Sequence, residues 1–169
     1  GDGSPVTLLD LPRGVTAFSS PHTYVDDNPT GTVSDILPIR VTVTDKDSAS
    51  DTAVRFVTVN NAAPEVTIID NGSDSLTVRL RAVVNDLGMA ETFSFQWSLN
   101  GGPASTLNFI EFERVALANS FAEVSVVVSD DDTGTGSASA TIVLGTDQAD
   151  VINVTALPDS EEVMVSVET

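Results

Sequence analysis

The sequence predicts an all-β chain built of tandem antiparallel β-sandwiches, and three observations carry that prediction. The chain is rich in Val, Thr, Ser and Asp and has a single lysine, Lys46, a composition suited to short strands joined by polar turns and poor for long helices. Apolar and polar residues alternate with a period of two in one stretch after another, the spacing of strands with one wet face. One of these stretches recurs: Val41-Thr42-Val43-Thr44-Asp45-Lys46-Asp47 matches Val126-Val127-Val128-Ser129-Asp130-Asp131-Asp132 at a constant offset. The match continues without a gap, Ala53 falling on Ala138, Val57 on Ile142 and Val59 on Leu144.

Each copy of the repeat reads as a strand, a polar turn and a second strand, which is a β-hairpin. The offset, from Val41 to Val126, is the size of one immunoglobulin-like sandwich module. Residues 1–60 carry the first copy. Asn60-Asn61-Ala62-Ala63-Pro64 reads as a short linker, and the module at 61–144 can be followed strand by strand. Val66 and Ile68 open it. Leu76, Val78, Leu80, Ala82 and Val84 alternate with Thr77, Arg79, Arg81 and Val83, and Phe93, Phe95, Trp97 and Leu99 alternate with polar residues. Asn100-Gly101-Gly102-Pro103 is a turn, and residues 107–115 form a further strand. The second copy of the repeat closes the module through Ala122, Val124, Val126, Val128, Ala138, Ala140, Ile142 and Leu144. The module is read as seven-stranded, six of its strands being traced here, with Trp97 as core packing on the third. Residues 145–169 hold one more hairpin, Val151–Val154 and Val163–Val167 around a Leu157–Ser160 turn.

Charge excludes whole classes of partner. Seven Lys and Arg against 25 Asp and Glu leave a formal charge of -18, which repels phosphate backbones and anionic lipid surfaces, so neither nucleic acid nor membrane insertion is expected. No apolar run approaches the roughly 20 residues of a membrane span. The chain has no cysteine, which removes disulfides, thiol catalysis and thiolate metal sites.

With these residues in view, the chain resembles the PKD (polycystic kidney disease) family. The resemblance rests on the Gly1-Asp2-Gly3 turn, the His22-Thr23-Tyr24 segment and the Val41-Thr42-Val43-Thr44-Asp45 strand end, which stand in the family's order. It covers residues 1 to about 60. The second module keeps only the turn after Trp97 and the Asp130–Asp132 strand end, and is similar to the immunoglobulin-like class at large. On this alignment the first module lacks its front strands. Gly145-Thr146-Asp147-Gln148-Ala149-Asp150 resembles the opening of RTX-type calcium repeats, but Gln148 and Ala149 stand where glycines are expected. The resemblance implies an extracellular, surface-exposed role in contacts with protein or carbohydrate.

The residues do not suggest catalysis. His22 is the only histidine, so a hydrolytic triad would have to use it, and a structural hydrogen bond is the expected role instead. No carboxylate pair is framed by the aromatic platform that glycoside cleavage needs. Calcium, a hard cation that takes six to eight oxygens, is the expected cofactor. Its candidate ligands are Asp45 and Asp47 at one strand end and Asp130, Asp131 and Asp132 at the other; Asp26, Asp27 and Asp86 carry less weight. The competing reading is that aspartates favour turns for their own hydrogen bonds. Asn71-Gly72-Ser73 and Asn153-Val154-Thr155 fit the glycosylation pattern. Phe93, Phe95 and Trp97 would form a sugar platform if they faced outward, but their period favours the core. The expected function is a non-catalytic structural or adhesive spacer of a large secreted or surface protein. Its partners would be neighbouring modules or other copies, and a filament would form by strand addition. The alternative is an accessory carbohydrate-binding module of a secreted polysaccharide-degrading enzyme.

Overall fold

The computed structural model describes residues 2–27, 31–88, 91–114, 121–144, 151–156 and 163–168. Among these lie eleven β-strands and no α-helix. All strand pairings are antiparallel, as the alternating pattern predicts. The chain divides into two compact units: residues 1–63, 86–92 and 130–134 form the first, and residues 64–85, 93–129 and 135–169 the second.

In the first unit, residues 2–27 contain turns and bends but no strand. Strands β1 (Ser34–Thr44) and β2 (Ser50–Asn60) pair along their full length, with Val41 opposite Ala53 and Thr44 opposite Ser50. The turn between them is held by an aspartate. The Asp45 amide donates to the Ala49 carbonyl at 2.8 Å, and Asp45 Oδ1 accepts from the amides of Asp47 and Ala49, each at 2.9 Å. Ser48 takes a φ of 70°, a left-handed conformation that costs a residue with a Cβ about 1 kcal/mol and is sustained here by those bonds. Leu37 and Val59 are buried, but Ile39, Val41 and Val43, which share one face of β1, are exposed.

The second unit holds two sheets around one core. Strands β3 (Glu65–Asp70), β4 (Thr77–Asn85) and β7 (Phe109–Glu113) make a three-stranded sheet in the order β3-β4-β7. Strands β5 (Ser94–Leu99), β6 (Gly102–Ser105), β8 (Phe121–Ser129) and β9 (Thr135–Val143) make a four-stranded one, β6-β5-β8-β9. Val78, Leu80, Ala82 and Ile110 from the first sheet are buried in a single cluster with Trp97, Val124, Val126 and Val128 from the second, an arrangement compatible with a β-sandwich. Trp97 is buried, and its indole N–H donates to the Leu107 carbonyl at 3.0 Å, so the ring loses water without orphaning its one donor. Phe93 and Phe95 pack against the same cluster; the aromatic row faces inward.

The structure differs from the expected strands in one place. The turn after β5 needs only Asn100 and Gly101, with φ of 49° and 79°, the double left-handed geometry that Asn-Gly supplies to tight hairpins. Gly102 and Pro103, read as turn, begin β6 instead.

The repeat seen in the sequence is a repeat of structure. In β8 and β9, Val126 stands opposite Ala138 and Ser129 opposite Thr135, which is the register of β1 and β2 carried forward by the same offset at every pair. Strands β10 (Val151–Ala156) and β11 (Val163–Glu168) form the expected C-terminal hairpin, with Ile152 opposite Val167. The RTX-like residues 145–150 and the turn at 157–160 lie outside the described residues. No helix among the described residues is long and apolar enough to cross a membrane.

Candidate functional site: a buried acidic cluster

The chemistry of the first unit concentrates where Asp26 and Asp27, the Asn61 linker, the segment carrying Asp86 and Glu91, and the turn at residues 130–134 come together. The turn is a copy of the one at Asp45. The Asp130 amide donates to the Gly134 carbonyl at 3.1 Å, the Gly134 amide donates to Asp130 Oδ1 at 2.6 Å, and Thr133 has a φ of 73° where Ser48 has 70°. Glycine at 134 is required by crowding. A Cβ there would meet Asp130 Oδ2, the Asn61 amide nitrogen at 2.7 Å and the Ala63 Cα at 3.1 Å.

Linker and turn are tied together by side chains. Asn61 Nδ2 donates to Asp130 Oδ2 at 3.0 Å, and the Ala62 amide donates to Asp26 Oδ1 at 2.8 Å. On the other side, the Thr92 amide donates to Asp131 Oδ1 at 2.9 Å and the Gly88 amide to Asp86 Oδ1 at 2.8 Å. Gly88 is pressed against two carboxylates, for a Cβ on it would meet Glu91 Oε1 and Asp26 Oδ2.

These acids are buried. Asp27 is 0% exposed, Asp26 2%, Asp132 4% and Asp130 8%. Ion pairs among the described residues lie elsewhere: His22 with Asp2, Lys46 with Asp47, and Arg79 with Asp74 and Glu111. Six buried oxygens in and around the cluster have no hydrogen-bond partner: both of Asp27, and one each of Asn61, Asp86, Glu91 and Asp132. Carboxylates in such a setting resist ionisation. Burial, with Asp26 and then Asp132 beside it, pushes Asp27 up to about 6. Burial, with Asp131, Asp132 and Asp86 around it, pushes Glu91 up to about 7. Asp132 is raised by burial and by Asp131, Asp130, Asp26 and Asp35. Asp131 moves the other way and is lowered, first by the Thr92 amide.

The predicted residues thus fall in two places. Asp130, Asp131 and Asp132 enter the cluster. Asp45 and Asp47 stay apart in the exposed copy of the turn, where Asp45 is engaged by turn amides and Asp47 by Lys46 at 2.6 Å. Glu91 and the Asn61 amide oxygen were not legible as site residues, because neither belongs to a repeated or paired acidic motif. His22 Nε2 donates to Asp2 Oδ2 at 2.9 Å, and its ring meets the Tyr24 ring edge-on at 4.5 Å. Among the described residues no group of three or more histidine, aspartate or glutamate side chains stands as a ready-made metal cage. Compared with known proteins, the chain matches no family model, no curated protein and no solved structure.

Proposed function

We propose that the chain is a non-catalytic structural spacer of immunoglobulin-like, PKD-type sandwich repeats, acting outside the cell, which joins to further copies of itself by strand addition. One observation carries the reading. Val41 in β1 and Val126 in β8 are equivalent in sequence, register and hairpin, yet Val126 is 0% exposed and Val41 is 40% exposed. In the β8–β9 hairpin that face is covered by the Val78, Leu80 and Ala82 row of β4. An apolar sheet face with a free strand edge is a template for another sheet.

The C-terminal hairpin has the pattern of such a cover. Val163, Val165 and Val167 stand one repeat length beyond Val78, Leu80 and Ala82. Ile152 pairs with Val167, an apolar pair like Ile68 with Ala82, in a register one residue off the repeat offset. β10–β11 of one copy would then serve β1–β2 of the next as β3–β4 serves β8–β9 within the second unit. Such contacts are head-to-tail and do not close, so the product is a filament. The inward-facing Phe93, Phe95 and Trp97 favour this reading over a carbohydrate-binding module.

Light scattering over a wide concentration range tests it. Mass should rise with concentration in the native chain and stay at one copy in Val41→Asp and Val165→Asp. A native chain that remains a monomer at every concentration removes strand addition.

A further inference from the structure

We propose that Asp27, Asp86, Glu91, Asp132 and the amide oxygen of Asn61 form a binding site for calcium. Asp27 is the strongest single indication. It is wholly buried, both of its oxygens lack a partner, and the groups nearest it, Asp26 and Asp132, carry the same charge. A buried carboxylate normally has an amide, a hydroxyl or a cation against it, and leaving it bare costs several kcal/mol. Here the neighbouring amides are already committed: that of Ala62 to Asp26, Thr92 to Asp131, Gly88 to Asp86 and Gly134 to Asp130. The second oxygens of Asp86, Glu91 and Asp132 are left without a partner, as both of Asp27 are, and a cation would satisfy them.

The donor set says which cation. Every orphaned atom is an oxygen, five from carboxylates and one from the Asn61 amide, which is the hard, mixed set that calcium prefers and whose number matches its six to eight ligands. Cysteine is absent and the single histidine is engaged by Asp2, so nothing here selects a thiophilic or imidazole-binding metal. Magnesium demands a small, near-octahedral cage and keeps much of its water, whereas these oxygens come from four separate segments of chain. Among the described residues no three acids already surround one point, and carboxylates without a cation repel one another or share a proton. The ion would draw together Asp26–Asp27, the 61–63 linker, the segment of Asp86 and Glu91, and the turn at 130–134, all within the first unit. The same turn at Asp45–Ala49 lacks buried acids around it and is not part of the site.

The test uses the whole chain stripped with chelator, then given calcium chloride or magnesium chloride alone. Saturating calcium should raise the melting temperature by roughly 10 °C, the size expected when a ligand binds the native state alone at about a hundred times its dissociation constant. Magnesium at the same concentration should do far less. Asp27→Asn and Asp132→Asn should lose the calcium shift, yet melt no lower than the native chain in chelator, because each removes a repelling charge. Asp47→Asn should keep the shift. If the variants do not fold, amide exchange of the native chain decides: calcium should slow exchange at Gly88, Thr92 and residues 130–134. Unchanged melting and exchange with calcium, a full shift retained in Asp27→Asn, or an equal response to magnesium would overturn the assignment.

Discussion

The matched pair Val126 and Val41 allows burial to be separated from every other property of a strand valine. Both lie opposite an alanine in hairpins of the same register. Replacing either by alanine therefore removes the same two methyl groups, with the same loss of strand propensity. At Val126 the deleted groups are fully buried among Val78, Leu80, Trp97 and their neighbours. Transfer alone is then worth about 1.6 kcal/mol, and the cavity left in a close-packed core adds about 1 kcal/mol, for a total of about 2.5 kcal/mol. At Val41, with 40% of the residue already in water, the transfer loss falls to about 1 kcal/mol and no cavity forms on an open face. The expected gap is about 1.5 kcal/mol. Urea unfolding followed by Trp97 emission reads Val126→Ala, and hydrogen exchange of the β1–β2 and β8–β9 amides reads both variants locally. Measurements belong at dilutions where the chain is a single copy. Equal costs under that condition would mean that the β1–β2 face is covered within one molecule, and the argument for strand addition would fail.

Two further outcomes follow from the second unit. Trp97→Ala should cost about 3 to 5 kcal/mol, read as a lowered urea midpoint by circular dichroism; a loss below about 1 kcal/mol would show that the ring is not a core residue. The Arg79 guanidinium, with the amides of Leu76 and Thr77, holds the Asp74 carboxyl down at about 2. Its folded value lies below the unfolded one, so its contribution is present above about 4 and is lost as pH falls through about 2. The melting-temperature difference between the native chain and Asp74→Asn should therefore close between about pH 4 and about pH 2, and a difference constant across that range would contradict the contact.

The strands were legible because each has a wet face and a dry one. The period of two in residues 76–84, 93–99 and 122–128 fixes both their type and their inward side, and Trp97, Val124, Val126 and Val128 are buried where that pattern puts them. The repeat was legible in register as well as in kind, since two hairpins with strands and turn of equal length have no other way to pair. Strand β6 was hidden: Gly102 and Pro103 carry turn chemistry, and only the left-handed pair at 100 and 101 shows that the turn is complete before them. The acidic cluster was half legible. Asp130, Asp131 and Asp132 announce themselves as a run and Asp26, Asp27 and Asp86 as lesser candidates, whereas Asn61 and Glu91 are scattered single residues whose meeting depends on how distant loops are placed.

The two copies of the aspartate turn explain why sequence alone offers both the Asp45 and the Asp130 ends as candidates. Asp45 and Asp130 do the same local work, each accepting from the amide four residues on, and that work is all so short a motif encodes. What distinguishes them is what lies outside the turn. Around Asp45 there is solvent and Lys46, so each carboxylate keeps its hydration or an exposed partner. At the Asp130 turn the side-chain amide of Asn61 bonds Asp130 and the Thr92 amide bonds Asp131, and Asp130 and Asp132 are buried from water. The turn folds in either setting. The proposed cation site depends on a second and third segment carrying acids being packed against it. Any further copy of the turn can be judged by that criterion: on the calcium proposal, an acidic turn next to a linker asparagine and a buried Asp-Asp pair is expected to bind a cation, and the same turn standing in water is not.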